Sequence, residues 1–137
     1  MIDVKNTIPH RDPFLFIDRV IALEGSKIMA KKTFSEADDF YRGHYPGNPI
    51  TPGVILCETV FQTAAVLILH LFPLLEMQVP VLAKIEEARF RSIVKPNEPL
   101  SIAAEFREKV GKFFFMAGSI SKGETAVLRT KFSLALA

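Results

Sequence analysis

The stretch that most constrains this chain is "PGVILCETVFQTAAVLILHLF", running from Pro52 to Phe72. Drawn as a helix, it carries apolar residues on almost every face, and such a helix has to be buried. Thr51 can serve as its N-cap, Pro52 fits the first helical position, and Pro73 blocks continuation. At the usual rise it would run roughly 30 Å. Glu58, Thr59, Gln62, Thr63 and His70 interrupt the apolar run. That makes a poor membrane span and predicts a core helix instead.

The segments around this helix read as strands. "PFLFIDRVIAL" (Pro13–Leu23) predicts one strand, and "KIMAKKTF" (Lys27–Phe34) its antiparallel partner across Glu24-Gly25-Ser26. After the helix comes "VLAKIEEARFRSIV", then a turn at Lys95-Pro96-Asn97-Glu98. Beyond it Leu100, Ile102, Ala104 and Phe106 alternate with Ser101, Glu105 and Arg107. "KFFFMAGSI" and a last alternating strand follow, joined by a hairpin turn at Ser121–Glu124. Phe113, Phe114 and Phe115 put apolar groups on both strand faces. One face can cover the helix; the other suits either a thick core or a second subunit. The expected class is α+β: one domain over residues 1–137, with a long central helix wrapped by a curved antiparallel sheet of about six strands.

Bulk properties exclude several functions. The net charge is +2 with no dense basic run, which argues against nucleic-acid binding. Cys57 is the single cysteine, so no intramolecular disulfide can form. The opening "MIDVKNTIPHRD" lacks the basic-then-apolar pattern of a signal peptide. A soluble cytoplasmic protein is expected. His10, His44 and His70 lack metal-ligand spacing, and no phosphate-cradling loop is present; neither a metal nor a cofactor is expected. Arg89 and Arg91 share one face of a strand and read as a solvated face.

Chemistry concentrates in "GHYPGNPITPGVILCE", Gly43–Glu58. Gly53 opens the helix with a bare backbone, and the first helical N–H groups, those of Gly53 and Val54, have no intrahelical partners. With the helix dipole they suit an oxygen that becomes negative during reaction. Glu58 lies inside the apolar helix, where burial should raise its pKa toward the range of a general acid. His44 sits in a loop stiffened by proline, and histidine is the usual base near neutral pH. Each has an ordinary reading alone: a capped helix, a polar stripe shared with Gln62, an exposed loop histidine. Together they form a base, an oxygen-binding helix end and a buried acid.

"GHYPGNPITPGVILCETVFQ" closely resembles the signature of the FabZ-type 3-hydroxyacyl-(acyl carrier protein) dehydratases, which are hot-dog-fold enzymes. "IPHRDPFLFIDRV" and "KIEEARFRSIVKPNEPL" extend the resemblance over most of the chain. It implies that His44 and Glu58 are catalytic and that Gly53, with Val54 beside it, holds the thioester oxygen. The related dehydratase-isomerase branch usually carries Asp at the position of Glu58. The resemblance implies acyl carrier protein as the partner that delivers substrate. It also implies a dimer with shared active sites, or a trimer of such dimers. Val81 and Leu82 stand where relatives often have aromatics, near the acyl tunnel. The rival readings are a hot-dog thioesterase, whose hydrolysis needs no base aimed at C2, and a non-catalytic acyl-binding subunit.

Overall fold

The computed structural model describes residues 2–73 and 78–137. The long helix, α2, spans Gly53–Leu71, preceded by a short α1 at Val4–Thr7. Six strands follow the chain order β1 (Arg19–Glu24), β2 (Lys27–Lys32), β3 (Pro80–Phe90), β4 (Leu100–Val110), β5 (Phe113–Lys122) and β6 (Thr125–Leu136). They form one sheet in the order β1-β2-β4-β5-β6-β3, with every pairing antiparallel.

The apolar helix dictates this arrangement. Val60, Ala64, Val66, Leu67 and Ile68 are fully buried against the inner face of the sheet. That face is built by the alternation read from the sequence: Leu100, Ile102 and Ala104 on β4, Phe114 and Met116 on β5, Leu128, Phe132 and Leu134 on β6. Each large side chain so buried contributes roughly 1.5–3 kcal/mol of transfer free energy. By length and composition α2 could cross a membrane, with a mean hydropathy of 1.9, but 67% of it is buried inside the protein. It is a core helix. Of the three consecutive phenylalanines, Phe114 enters the core beside Phe72 and Phe106, while Phe113 stays 38% exposed on the opposite face.

Three expectations need correction. The first strand begins at Arg19, not Pro13. Upstream, the Gln62 side chain accepts the Phe16 N–H at 2.8 Å and donates to the Phe14 carbonyl at 3.0 Å. A helix side chain there satisfies backbone groups that a ladder would otherwise use. Thr51 does not cap α2: its hydroxyl pairs with that of Tyr41 at 2.6 Å, and Pro52 takes the N-cap position without a side-chain cap bond. The strand after the helix ends at Phe90 rather than Val94; the Arg91 N–H still reaches the Val127 carbonyl, and further on the Val94 carbonyl accepts the Thr51 N–H at 2.8 Å.

β3 is an edge strand. It pairs with β6 on one side only, and Val81, Leu82, Ile85 and Phe90 are all more than 40% exposed along it. A long apolar edge of this kind favours pairing with another strand.

Helix and sheet meet most closely at Gly118 on β5. A Cβ there would stand 2.3 Å from a Val60 methyl and 3.1 Å from the Ala103 carbonyl oxygen. Overpacking of this kind costs roughly 1–3 kcal/mol. Gly118→Ala should therefore lower the urea midpoint without changing the m-value, and Val60→Ala in the same chain should recover part of the loss. An unchanged midpoint in Gly118→Ala would show that the contact is not tight.

Candidate active site

The uncapped start of α2 is the first component. Both Ile55 and Leu56 donate to the Pro52 carbonyl, at 3.0 and 3.1 Å. Among the described residues the Gly53 and Val54 N–H groups have no acceptor, and Val54 is 76% exposed. With Thr51 engaged elsewhere, these donors are open to a ligand oxygen at the positive end of the helix dipole. The Phe90 ring lies against Gly53, where a Cβ would meet two of its carbons at 3.0 Å. A glycine here lets the end of β3 reach the helix mouth.

His44 is the second component. A turn of 3-10 helix at Asp39–Arg42 leads into it, and its N–H donates to the Phe40 carbonyl at 3.1 Å. The loop beyond closes on itself. Tyr45 and Asn48 exchange backbone hydrogen bonds, Gly47 supplies the positive φ of 71°, and the Ile50 N–H returns to the His44 carbonyl. His44 Nδ1 lies 2.8 Å from the Ile50 carbonyl oxygen. A carbonyl can only accept, so Nδ1 carries the proton and donates it. Nε2 is left with a free lone pair, the form a general base needs.

Glu58 is the third. It lies about 7.5 Å along the axis from Gly53 and about 140° around it. Burial raises its pKa, partly opposed by the Gln62 amide, which donates to Oε2 at 3.1 Å. Burial also raises the pKa of the neighbouring Cys57 thiol, with the Glu58 charge adding to it, which disfavours the reactive thiolate. His10 Nε2 stands 3.8 Å from Glu58 Oε2. Sequence reasoning left His10 among histidines without a role and saw Gln62 only as part of a polar stripe.

Within one chain, no hydrogen bond or ion pair among the described residues joins His44 to Glu58. Val81 and Leu82 lie on the exposed edge strand, 43% and 42% accessible. Among the described residues no three His, Cys, Asp or Glu side chains are grouped to hold a metal ion.

A long buried helix wrapped by a six-stranded antiparallel sheet defines a hot-dog-fold protein. Comparison with known proteins agrees. Residues 8–131 match the family model described as a FabA-like domain. Over 93% of its length the chain is 41% identical to the 3-hydroxyacyl-(acyl carrier protein) dehydratase FabZ of Symbiobacterium thermophilum, covering 91% of that protein. It is 32% identical to the protein of the same name from Fusobacterium nucleatum, over 100% of this chain and 96% of that one. The solved dehydratase heterocomplex ApeI:P from Xenorhabdus doucetiae gives a TM-score of 0.85 at 19% identity, over 100% of this chain and 92% of that one, a likeness of fold. This chain belongs to the FabA-like family, among its FabZ-type dehydratases.

The buried carboxyl has a measurable consequence. With its pKa raised above the ordinary 4.5, Glu58 holds its proton more tightly in the folded chain than in the unfolded one. The fold is favoured while Glu58 is protonated and loses that advantage as pH rises through the folded value. Glu58→Gln stays neutral, so its Tm should exceed that of the wild type near neutral pH. The gain should vanish as pH falls below 4.5. A Tm difference independent of pH would contradict a raised pKa.

Proposed function

We propose that this enzyme removes water from 3-hydroxyacyl thioesters of acyl carrier protein, using His44 as base and Glu58 as acid. The trans-2-enoyl thioester is the product, as expected for a step of fatty acid biosynthesis. His44 Nε2 takes the C2 proton. Charge then builds on the thioester oxygen, which the Gly53 and Val54 N–H groups receive; one such donor is typically worth about 3–4 kcal/mol of barrier. The C3–O bond breaks, and the proton of Glu58 goes to the departing hydroxyl to complete a water molecule. Solvent then exchanges protons with both residues and resets them.

The observation that carries this reading is the division of the site. His44 offers a free Nε2 and Glu58 a partly buried carboxyl, yet among the described residues no hydrogen bond or ion pair of one chain joins them, and the end of an apolar strand edge, at Phe90, lies against Gly53 of the same helix mouth. Two protomers pairing edge to edge through β3 would make one continuous sheet and cover Val81, Leu82, Ile85 and Phe90. A two-fold axis makes such a contact self-complementary and creates two equivalent sites. His44 of one protomer then serves Glu58 of the other, with the acyl tunnel along the interface. A cytoplasmic setting fits the free, buried Cys57.

Purified protein incubated with 3-hydroxybutyryl-(acyl carrier protein) should produce enoyl absorbance without free thiol. Glu58→Gln should stay folded and lose about two orders of magnitude or more in turnover. Thiol release in place of enoyl product would make this chain a thioesterase, and near-wild-type turnover in folded Glu58→Gln would remove Glu58 from the mechanism. Val81 and Leu82 leave the tunnel wall without aromatics, so activity should persist on ten-carbon chains. Activity confined to four-carbon chains would contradict that placement.

A further inference from the structure

The segment between α1 and β1 is held more firmly than an irregular stretch requires. Ile8 is buried in the core. The Arg11 guanidinium donates to three backbone carbonyls, those of Lys5, Ile8 and His10, at 2.7, 2.9 and 2.7 Å. Further along, Gln62 binds the backbone of Phe14 and Phe16 and, through the same amide nitrogen, Glu58. The segment is thus fixed at both ends over the carboxyl group. His10 lies between these anchors.

Two features of His10 stand out. Nε2 is 3.8 Å from Glu58 Oε2, beyond a hydrogen bond but within a small ring rotation of one. Nδ1 is buried and has no partner among the described residues, a costly state for a polar atom in a protein interior. Burial, with the Arg11 charge adding to it, lowers the pKa of His10 and so favours the neutral ring. A neutral ring has one N–H. Facing a carboxyl oxygen, that hydrogen belongs on Nε2, so the unpartnered buried atom Nδ1 is a bare acceptor rather than a lost N–H donor. Glu58 Oε2 then has Gln62 on one side and His10 on the other. Oε1 has no partner among the described residues and is the oxygen left for substrate.

We propose that His10 is a positioning residue for Glu58: its Nε2–H closes on Oε2 as the carboxyl gives up its proton, holding the new carboxylate beside the Gln62 amide. This rests on the reading of Glu58 as the acid. His10 neither gains nor loses a proton. The Glu58 O–H bond breaks, its proton completes the departing water, and the charge left on the carboxylate is shared by two N–H donors. Among the described residues the other titratable and charged groups at the pair are Arg11 beside His10 and Cys57 beside Glu58; in the proposed dimer His44 of the second protomer would join them.

The test compares pH profiles of kcat for dehydration in wild type, His10→Ala, His10→Gln, Glu58→Gln and the double variant His10→Ala/Glu58→Gln. The alkaline limb reports loss of the Glu58 proton. Removing a donor that favours the carboxylate should move that limb of His10→Ala upward by about one pH unit. Its kcat should fall about tenfold with KM nearly unchanged, the scale of one lost charge-assisted hydrogen bond. His10→Gln, whose amide can still donate, should restore the limb. The double variant should be no slower than Glu58→Gln alone, since the two residues act as a unit. A limb that stays put in His10→Ala, while Glu58→Gln is severely slowed, overturns the role of His10 and leaves that of Glu58 standing. Near-normal Glu58→Gln turnover overturns both. If His10→Ala does not fold, nitrogen-15 NMR of wild-type imidazoles decides. A neutral His10 with hydrogen on Nε2 supports the proposal, and hydrogen on Nδ1 overturns it.

Discussion

A helix that is apolar on nearly every face must be covered on nearly every face, and the six-stranded sheet covers the middle of α2 while both of its ends reach the surface. The middle of the helix, from Val60 to Ile68, is sealed against β4, β5 and β6. At its first turn the wrapping stops. Val54 is open to solvent, the Gly53 and Val54 N–H groups have no acceptor among the described residues, and the Phe90 ring lies against Gly53. One exposed end of the helix is therefore its positive end. β3, the strand that would have to continue the cover, is an edge. One geometric shortfall thus leaves both a pair of free helix-end N–H donors and an unpaired apolar strand edge among the described residues.

The polar residues of α2 show how a buried acid can be kept in a core. Glu58 is costly as a carboxylate because its side chain is mostly, though not wholly, withdrawn from water. Gln62, one turn further on, meets the carboxyl with one amide hydrogen and the N-terminal segment with the rest of its amide group. All its polar atoms are used, so it can be buried at 1% exposure without a penalty. Its position also explains why the chain before β1 is irregular: that backbone is tied to the helix rather than to a neighbouring strand. Structure around the site and structure of the core are here the same hydrogen bonds.

Much of this was legible in the sequence. The apolar run bounded by Pro52 and Pro73 defined the helix to within a residue or so at each end, since proline acts locally and periodicity is strong. The alternation of Leu100, Ile102 and Ala104 with polar neighbours gave the inner face of β4. His44, Gly53 and Glu58 stood out because rigid loop residues, a glycine and an acid in apolar surroundings are local oddities. What stayed hidden depends on contacts between distant segments. Thr51 looks like a cap until Tyr41 claims its hydroxyl. Pro13–Asp18 looks like a strand until Gln62 takes its backbone groups. His10 has no spacing relation to Glu58, and only the fold brings them together.

The central claim is that each active site draws His44 from one protomer and Glu58 from the other. The most direct measurement mixes inactive His44→Ala protein with inactive Glu58→Gln protein, confirms subunit exchange by native mass spectrometry, and follows enoyl product. A heterodimer would hold one site with both residues intact and one with neither. At full exchange half the dimers are mixed, so about one quarter of wild-type activity should return. If exchange is complete and turnover stays at the level of the separate variants, the two residues do not meet across an interface.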